Sequence, residues 1–359
     1  MKTSCKVVFG AAGPLWREHA PEIIEILRQA GIKEIDAAQV YQDSEKTVGD
    51  VKAGRYFAID TKELGCGGII VGQGAATKEN VIKRGLNSLE LLKVDQVDIF
   101  YIHGPDRETP FEDTLAGINE LYKMGKFKRF GLSNFLPCEV EKVVQICKDN
   151  EYVPPTVYEG NYSPIARKPE KLLFPLLKKH NMIFYAYSPL AGGFLAKTKD
   201  DIIAKKCPKF DPANGLVGMI YSTLYNKSSH FRALDEWDRI SQRSGLTKAE
   251  LAYRWVAFHS PLDRGRGDAM IIGASKLEQL RDTIQWLDKG HLPDQVVENI
   301  EDVWKIVEHD ACLDNYNLNS FDLAETPDFK SMYEKAHESL PKRANDQGAT
   351  TSLQGIAAS

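Results

Sequence analysis

Four side chains of different chemistry stand at or near the ends of apolar segments, and together they could protonate an oxygen atom. Asp36, Lys62 and His103 each come at or directly after a short apolar run, and Tyr41 follows Asp36 by five residues. A tyrosine hydroxyl has a pKa near ~10, so it donates a proton readily at neutral pH only when a cation stabilises the phenolate. In this interpretation Lys62 is that cation, Asp36 keeps it charged, and His103 donates a hydrogen bond to a carbonyl oxygen. The set suits protonation of an oxygen while the attached carbon receives hydride.

Each of these residue types also has a purely structural interpretation. Asp36 could cap a helix, and so could the pair Ser133-Asn134, because Asp, Ser and Asn are favoured at helix N-termini. Lys62 could lie on the rim of the fold, and His103 could be an ordinary loop histidine. Tyr187, which follows a later apolar run, could be a packed aromatic residue. The chemical interpretation therefore depends on a fold that brings the residues together.

Short apolar runs rich in Val, Ile, Phe and Tyr predict buried strands, and here they alternate with segments of helical period. The predicted strands are Lys6–Phe9, Glu34–Asp36, Tyr56–Thr61, Val97–Ile102, Lys128–Leu132, Thr156–Glu159, Ile183–Ala186 and Ala269–Ile272. Such alternation indicates parallel strands joined by right-handed crossovers. Eight units favour an α/β fold of the closed (β/α)8, or TIM-barrel, type over an open doubly wound sheet. In that fold the ends of the strands meet at one mouth, where the active site lies.

The segments between the strands predict the helices that would surround the barrel. They are Pro21–Ala30, Lys78–Leu92, Phe111–Met124, Cys138–Lys148, Pro169–His180, Phe231–Ser241, Lys248–His259 and Leu277–Leu287. We expect an extra helix at Gln295–Glu308, one domain over residues 1–341, and a poorly ordered tail over residues 342–359. The segment Gly72–Ala76 resembles part of a dinucleotide fingerprint but lacks its third glycine, so we interpret it as a mobile loop.

The composition excludes several classes of function. The 359 residues are 43% hydrophobic and 27% charged, which is typical of a folded globular protein. Lys and Arg number 46 against 50 Asp and Glu, so no basic surplus favours nucleic-acid binding. We see neither a signal peptide nor an apolar run of membrane-spanning length, and we expect a cytoplasmic protein. The six cysteines are scattered singly and only His103 of eight histidines follows a strand, so we expect no metal site.

Six ordered stretches of the chain resemble the aldo-keto reductases, most closely the branch of aflatoxin-aldehyde reductases and aryl-alcohol dehydrogenase-like enzymes. They are residues 34–41 (EIDAAQVY), 61–62 (TK), 101–106 (YIHGPD), 131–135 (GLSNF), 187–193 (YSPLAGG) and 272–275 (IGAS). The resemblance implies an NADPH-dependent reductase of aldehydes or ketones. It implies the catalytic residues Asp36, Tyr41, Lys62 and His103. Tyr41 would be the proton donor. Relatives in this branch are often dimers, so by analogy a homodimer is possible, but the sequence does not give the oligomeric state.

The resemblance also implies a set of contacts with NADPH. From the nicotinamide to the adenosine end they are Ser133, Asn134, Glu159, Tyr187, Ser188, Pro189, Leu190, Gly192, Lys197, Gly273, Ser275, Gln279 and Asp282. Ser133 and Asn134 would bond the carboxamide, and Tyr187 would stack on the ring. The cationic Lys276 and Arg281 favour NADPH over NADH, because the added phosphate needs positive charge nearby.

Several positions depart from the family pattern. Glu159 stands where the family usually has a Gln that bonds the carboxamide, and a carboxylate cannot donate a hydrogen bond unless it is protonated. Asp282-Thr283 replaces an acidic–Asn pair near the adenine, which should weaken one contact. The unusual segment Gly10–Trp16 would line the substrate pocket. We expect its lining to include Trp16, Phe135, Tyr225 and Arg232. Aromatic side chains there would suit a flat or hydrophobic carbonyl compound.

Two other functions remain open at this point. The chain could be a nicotinamide-binding regulatory subunit with little turnover, similar to the β-subunits of potassium channels, and Glu159 gives this alternative some weight. A metal-dependent barrel hydrolase is the weaker alternative, because its site needs several His or carboxylate ligands at strand ends.

Overall fold

Eight parallel strands close into a barrel in the computed structural model, which describes residues 3–65 and 74–317. The strands are β1 (Lys6–Gly10), β2 (Glu34–Asp36), β3 (Ala58–Glu63), β4 (Val97–Ile102), β5 (Phe127–Ser133), β6 (Pro155–Asn161), β7 (Ile183–Tyr187) and β8 (Ala269–Ile272). Each pairs in parallel with its neighbours in the sequence, and β1 also pairs with β8. The predicted (β/α)8 barrel is therefore confirmed.

The helices of the described residues surround this barrel. They are α1 (Pro14–Gln29), α2 (Ser44–Asp50), α3 (Lys78–Leu92), α4 (Phe111–Lys123), α5 (Pro137–Asp149), α6 (Lys168–Leu172), α7 (Phe174–Lys179), α8 (Lys199–Ile203), α9 (Gly215–Tyr225), α10 (Ser228–Ser244), α11 (Lys248–Phe258), α12 (Leu277–Asp288) and α13 (Asp294–Val307). The extra helix predicted at the end is α13. No helix in this part of the chain is long and apolar enough to cross a bilayer.

Two predicted helices differ from those observed, and three observed helices were not predicted. Helix α1 begins at Pro14, and Pro21 lies within it behind a break at His19, whose φ is −127°. A proline inside a helix removes one hydrogen bond and bends the helix axis. For this reason the sequence pattern predicted only the part of α1 that starts at Pro21. The predicted helix Pro169–His180 is divided at Leu173 into α6 and α7. Helices α2, α8 and α9 were not predicted.

The strand bounds follow the prediction within two residues. Strand β3 begins at Ala58 instead of Tyr56, because Ala53–Arg55 forms a 3₁₀ turn whose carbonyl at Ala53 accepts a hydrogen bond from the Tyr56 amide at 2.9 Å. The barrel interior is filled by buried apolar side chains from Val8, Ile99, Tyr101, Val157, Tyr185, Ala269 and Ile271. The predicted tail over residues 342–359, and Gly72 and Gln73 of the predicted mobile loop, lie outside the described residues.

Helix α2 fixes the loop that carries Tyr41. The Ser44 amide donates to the Tyr41 carbonyl at 2.9 Å, and the Ser44 hydroxyl donates to the Ala11 carbonyl at 2.7 Å. The other end of α2 packs against the end of α3, where a Cβ atom added at Gly49 would lie 2.0 Å from the Leu91 carbonyl oxygen. That oxygen belongs to the backbone and cannot rotate away. Only a glycine allows this close approach of the two helices.

We therefore expect Gly49→Ala to destabilise the protein by about 1–3 kcal/mol, the usual cost of overpacking a rigid contact. Chemical denaturation followed by circular dichroism measures the change. Gly265→Ala is the matched control, because the nearest atom to its added Cβ is a side-chain oxygen of Asp263 at 3.1 Å, on an exposed loop. Equal stability of the two variants would contradict the packing argument.

Candidate active site

The polar residues predicted at the strand ends meet at one mouth of the barrel. Asp36 is the last residue of β2, Lys62 lies near the end of β3, and His103 directly follows β4. Further round, Glu159 lies near the end of β6, and Tyr187 ends β7. Because the strands are parallel, all of these carboxyl-terminal ends face the same side.

The centre of the mouth is a buried ion pair between Lys62 and Asp36. The Lys62 Nζ lies 2.5 and 2.6 Å from the two carboxylate oxygens of Asp36, and it also donates to the Ala37 carbonyl at 3.1 Å. Both side chains are almost completely buried. Burial lowers the pKa of Lys62, but the neighbouring Asp36 and, after it, Glu159 outweigh burial, so the net shift is upward. Lys62 is therefore a fixed positive charge.

Tyr41 and His103 lie beside this charge. The Lys62 Nζ is 5.2 Å from the centroid of the Tyr41 ring, and the Tyr41 and His103 rings meet edge to face at 5.5 Å. Burial raises the pKa of Tyr41, and Lys62 opposes that rise. Burial and then the charge of Lys62 lower the pKa of His103 to about 3. At neutral pH Tyr41 is thus a phenol that holds its proton, and His103 is a neutral imidazole.

Asn134 connects three strands at the mouth. Its side-chain amide donates to the His103 carbonyl at 2.8 Å and to the Ser133 hydroxyl at 3.0 Å. Its Oδ1 accepts a hydrogen bond from the Tyr187 hydroxyl at 2.7 Å, and its carbonyl accepts one from the Asn317 amide at 3.1 Å. Asn134 adopts a φ of +61°, in the left-handed region that Asn tolerates better than most residues. The contacts hold the ends of β4, β5 and β7 in register with the segment around Asn317.

A cavity of about 560 Å³ lies at this mouth of the barrel. The expected site residues that line it are Asp36, Tyr41, His103, Asn134, Glu159, Tyr187, Ser188, Pro189, Leu190, Gly192, Lys197, Gly273, Ser275 and Gln279. Lys62 lies behind Asp36 and Tyr41. Ser133 is fully buried, and the exposed side chains of Lys276, Arg281 and Asp282 are outside the lining. The residues that would surround a long ligand thus come from β2 to β8.

The middle of the cavity fits a ligand that comes close to the backbone. Ser188, Ala191, Gly192 and Gly193 all have positive φ values, between 52° and 95°. A Cβ atom at Gly192 would lie 2.1 Å from the Tyr221 ring, so the turn requires glycine there. At the inner end, the buried Oε2 of Glu159 has no hydrogen-bond partner among the described residues. A cradle of backbone and an unpaired buried oxygen suit a bound molecule with both phosphate and amide groups.

A cluster of carboxylates lies at the opposite end of the strands. Ligand atoms of Glu34, Asp60 and Asp98 come within 4.8 Å of one another. Arg129 reaches the Asp98 carboxylate at 2.5 Å and Glu34 at 3.9 Å, so the cluster already has a cationic partner. It is the one group of potential metal ligands found within the described ranges.

Comparison with known proteins agrees with this geometry. The model of the aldo/keto reductase family matches residues 6–305. The chain belongs to the aldo/keto reductase family. It is 36% identical to the oxidoreductase sirO of Leptosphaeria maculans over 83% of this chain and 89% of that protein. It is 35% identical to aflatoxin B1 aldehyde reductase member 2 of Mus musculus over 79% of each chain, and 34% identical to aldo-keto reductase family 7 member A3 of Homo sapiens over 85% of this chain and 95% of that protein.

Membership of this family makes the chain an oxidoreductase that acts on carbonyl groups. Aldo/keto reductases use a nicotinamide cofactor, and the cavity has room and contacts for one.

The four residues expected to line the substrate pocket of this aldo/keto reductase do not line the cavity. The Trp16 indole is fully buried against Phe9, because α1 already begins at Pro14 and turns the ring into the core. Phe135 is buried against Phe111, and Tyr225 is buried against Phe194. Arg232 differs from these three residues, because its side chain is exposed on α10.

Sequence reasoning missed several residues that line the cavity. Lys206, Lys209 and Tyr221 come from the long connection after β7, which the prediction left without structure. The Lys209 Nζ lies 4.0 Å from the centroid of the Tyr221 ring. Tyr316, whose ring is 6.3 Å from His103, comes from the segment after α13. The one available signal was the apolar run at residues 216–221, which is typical of a helix on an apolar surface.

The neutral state of His103 predicts a contribution to acid sensitivity. Because its pKa in the folded protein is about 3, below the ordinary 6.5, the unfolded chain binds a proton over this interval that the folded chain does not. Above pH ~6.5 His103 therefore does not reduce the free energy of unfolding, and as the pH falls from there towards 3 it reduces it progressively. His103→Gln should reduce the slope of unfolding free energy against pH there by up to about 1.4 kcal/mol per pH unit.

Chemical denaturation at a series of pH values measures that slope. The matched control is His19→Gln, the same substitution at a histidine whose side chain is 40% exposed. A His103→Gln slope identical to that of the parent protein would show that the imidazole is not held neutral by the fold.

Proposed function

We propose that this aldo/keto reductase reduces aldehydes or ketones to alcohols with NADPH, and that Tyr41 gives the proton to the carbonyl oxygen. The observation that carries the proposal is the fully buried Lys62 ammonium, paired with Asp36 and 5.2 Å from the centre of the Tyr41 ring at the inner end of the cavity. When bound, the cofactor would supply hydride to the carbonyl carbon. The proton and the hydrogen bond to the carbonyl oxygen would come from side chains of this protein.

Lys62 and Tyr41 handle the proton in this proposal. A phenol that gives up its proton becomes an anion, and a buried anion is costly unless a cation is close by. The Lys62 ammonium is held in place by Asp36 and opposes the rise that burial causes in the pKa of Tyr41. His103 is neutral, so it can donate a hydrogen bond to the carbonyl oxygen without competing as the acid.

The charge along the cavity supports a nucleotide with phosphate groups as the cofactor. Lys197, Lys206 and Lys209 line the stretch near the Gly192 turn, where a pyrophosphate would meet backbone and ammonium groups. Lys276 and Arg281 are exposed next to the lining residues Ser275 and Gln279. These two cations favour NADPH, whose extra phosphate gives them a partner.

The inner end of the cavity supports hydrophobic carbonyl compounds as substrates. Beside its polar residues, the lining includes the small and apolar residues Gly10, Ala12, Val40 and Leu64. The Tyr316 ring stands next to His103 and offers an aromatic surface. The Mus musculus relative is named as an aflatoxin B1 aldehyde reductase. We propose flat, hydrophobic aldehydes as the first substrates to try.

Oxidation of NADPH in the presence of such aldehydes tests the proposal directly. Tyr41→Phe should lower kcat by roughly 10²–10⁴, the usual contribution of a positioned proton donor, and leave the Kd for NADPH unchanged. Tyr122→Phe, on the exposed face of α4, is the matched control and should keep full activity. Full activity of Tyr41→Phe would overturn the role of Tyr41. Parent protein that binds NADPH but never oxidises it would favour the regulatory subunit.

The preference for NADPH has its own test. Arg281→Ala should weaken NADPH binding about tenfold, in line with the loss of one charged hydrogen bond, and leave NADH binding unchanged. Fluorescence titration with each nucleotide gives the two Kd values. Arg243→Ala removes an exposed arginine from the end of α10 and should change neither. An equal effect of Arg281→Ala on both nucleotides would contradict a contact with the extra phosphate.

A further inference from the structure

The mouth of the barrel contains a second carboxyl group beside Lys62. Glu159 approaches from β6, so its Oε2 lies 3.4 Å from the Lys62 Nζ while Asp36 holds that nitrogen at 2.5 and 2.6 Å. The Glu159 side chain is 3% exposed, and it lines the cavity. One buried ammonium thus stands between two buried carboxyl groups.

Lys62 has no hydrogen bond left for Glu159. An ammonium group has three N–H donors, and the two Asp36 oxygens and the Ala37 carbonyl can take all three. The Glu159 Oε2 consequently accepts no hydrogen bond from any residue that the structure describes. Glu159 is therefore within ion-pair distance of Lys62, at 3.4 Å, but the shorter contacts of the ammonium go to Asp36.

The charges at the mouth decide the ionisation state of Glu159. If both carboxyl groups were ionised, one ammonium would face two anions in a buried space, which is unfavourable. Burial raises the pKa of Asp36 as well, but its two short contacts with Lys62 oppose that rise, so we assign the negative charge to Asp36. Burial, and then the charge of Asp36, raise the pKa of Glu159 to about 8, with Lys62 opposing the rise. At neutral pH Glu159 is a neutral acid that can lose its proton when a positive charge arrives.

We propose that Glu159 makes binding of the oxidised nicotinamide cofactor proton-coupled, because its ionised form attracts the cationic ring of the oxidised form and has no such attraction for the neutral reduced ring. This inference rests on the proposed function, since it needs a nicotinamide at the inner end of the cavity. When the oxidised cofactor binds, the Glu159 carboxyl O–H bond breaks, the proton passes to the solvent, and the carboxylate remains. The reduced cofactor binds with the proton still in place.

The other titratable groups near Glu159 do not compete for this role. Those that interact with it electrostatically are Asp36, Lys62, Tyr41 and Tyr101. Those that share the cavity with it also include His103, Tyr187, Tyr221, Tyr253, Tyr316, Cys207, Lys197, Lys206 and Lys209. Lys62 stays charged, Tyr41 and Tyr101 have pKa values raised by burial, and His103 stays neutral. Glu45 is the one further group to control for. Burial raises its pKa to about 7, but it is hydrogen-bonded to Thr61 at 2.5 Å and does not line the cavity.

The experiment counts the protons released when each form of the cofactor binds. Isothermal titration calorimetry with NADP⁺ and with NADPH, at pH 7 in two buffers of different ionisation enthalpy, gives both numbers. The phosphates of the two nucleotides are the same, so the difference between the two numbers isolates the ring. We expect binding of NADP⁺ to release close to one proton more than binding of NADPH. The Kd for NADP⁺ relative to NADPH should tighten towards tenfold per pH unit below the pKa and level off above it.

Glu159→Gln should abolish the additional proton and make the ratio of the two Kd values independent of pH. Glu45→Gln is the matched control and should keep the additional proton. In the parent protein alone, an infrared difference spectrum should lose the band of a protonated carboxyl group when NADP⁺ binds, which tests the inference even if the Gln variant fails to fold.

The outcomes separate this inference from the proposed function. If neither nucleotide binds, the proposed function fails. If both bind and release equal numbers of protons, or if Glu159→Gln releases the same additional proton as the parent protein, the proposed function stands and the role of Glu159 is overturned.

Discussion

The buried contact between the Lys62 ammonium and the Asp36 carboxylate is the constraint on which the rest of the mouth depends. A buried ion pair gains little net stability over an apolar pair, because both groups lose their hydration, whereas removal of one partner leaves an uncompensated charge at a cost of about 3–5 kcal/mol. The barrel meets this constraint with geometry. Adjacent parallel strands place both side chains on its interior, and the Ala37 carbonyl satisfies the third donor of the ammonium.

The fixed charge of Lys62 gives its neighbours different properties. It opposes the rise in the pKa of Tyr41 and it lowers the pKa of His103 further than burial alone does. One cation therefore makes the phenol a better acid and prevents the imidazole from being one. The network around Asn134 complements this effect, because it holds the His103 backbone and the Tyr187 hydroxyl to a single side chain. Electrostatics and hydrogen bonding together support the proposed role of Tyr41 as the proton donor.

The sequence predicts the parts of the fold that repeat regularly, and it does not predict the irregular parts. The strands repeat and are parallel, so polar residues that follow them, such as Asp36, Lys62 and His103, must converge wherever the helices lie. The substrate-pocket residues could not be obtained this way, because Trp16 and Tyr225 depend on where irregular helices begin and turn. Lys209 and Tyr316 come from connections with no repeated pattern. The position of Glu159 on β6 was predictable, but its lack of a hydrogen bond follows from counting the donors of Lys62, which needs coordinates.

The distribution of charge along the cavity favours one orientation of a bound ligand. At the inner end the charges of Lys62 and Asp36 cancel, and Glu159 is neutral when protonated, so an uncharged ring can be buried there at little electrostatic cost. The lining also contains Lys197, Lys206 and Lys209; Lys206 lies 3.5 Å from Asp201, and burial lowers the pKa of Lys209. A molecule that is anionic in its middle and uncharged at its reactive end is therefore favoured in one orientation only. When the reactive end becomes cationic, the inner end has to supply a negative charge, and Glu159 is the residue placed to do so.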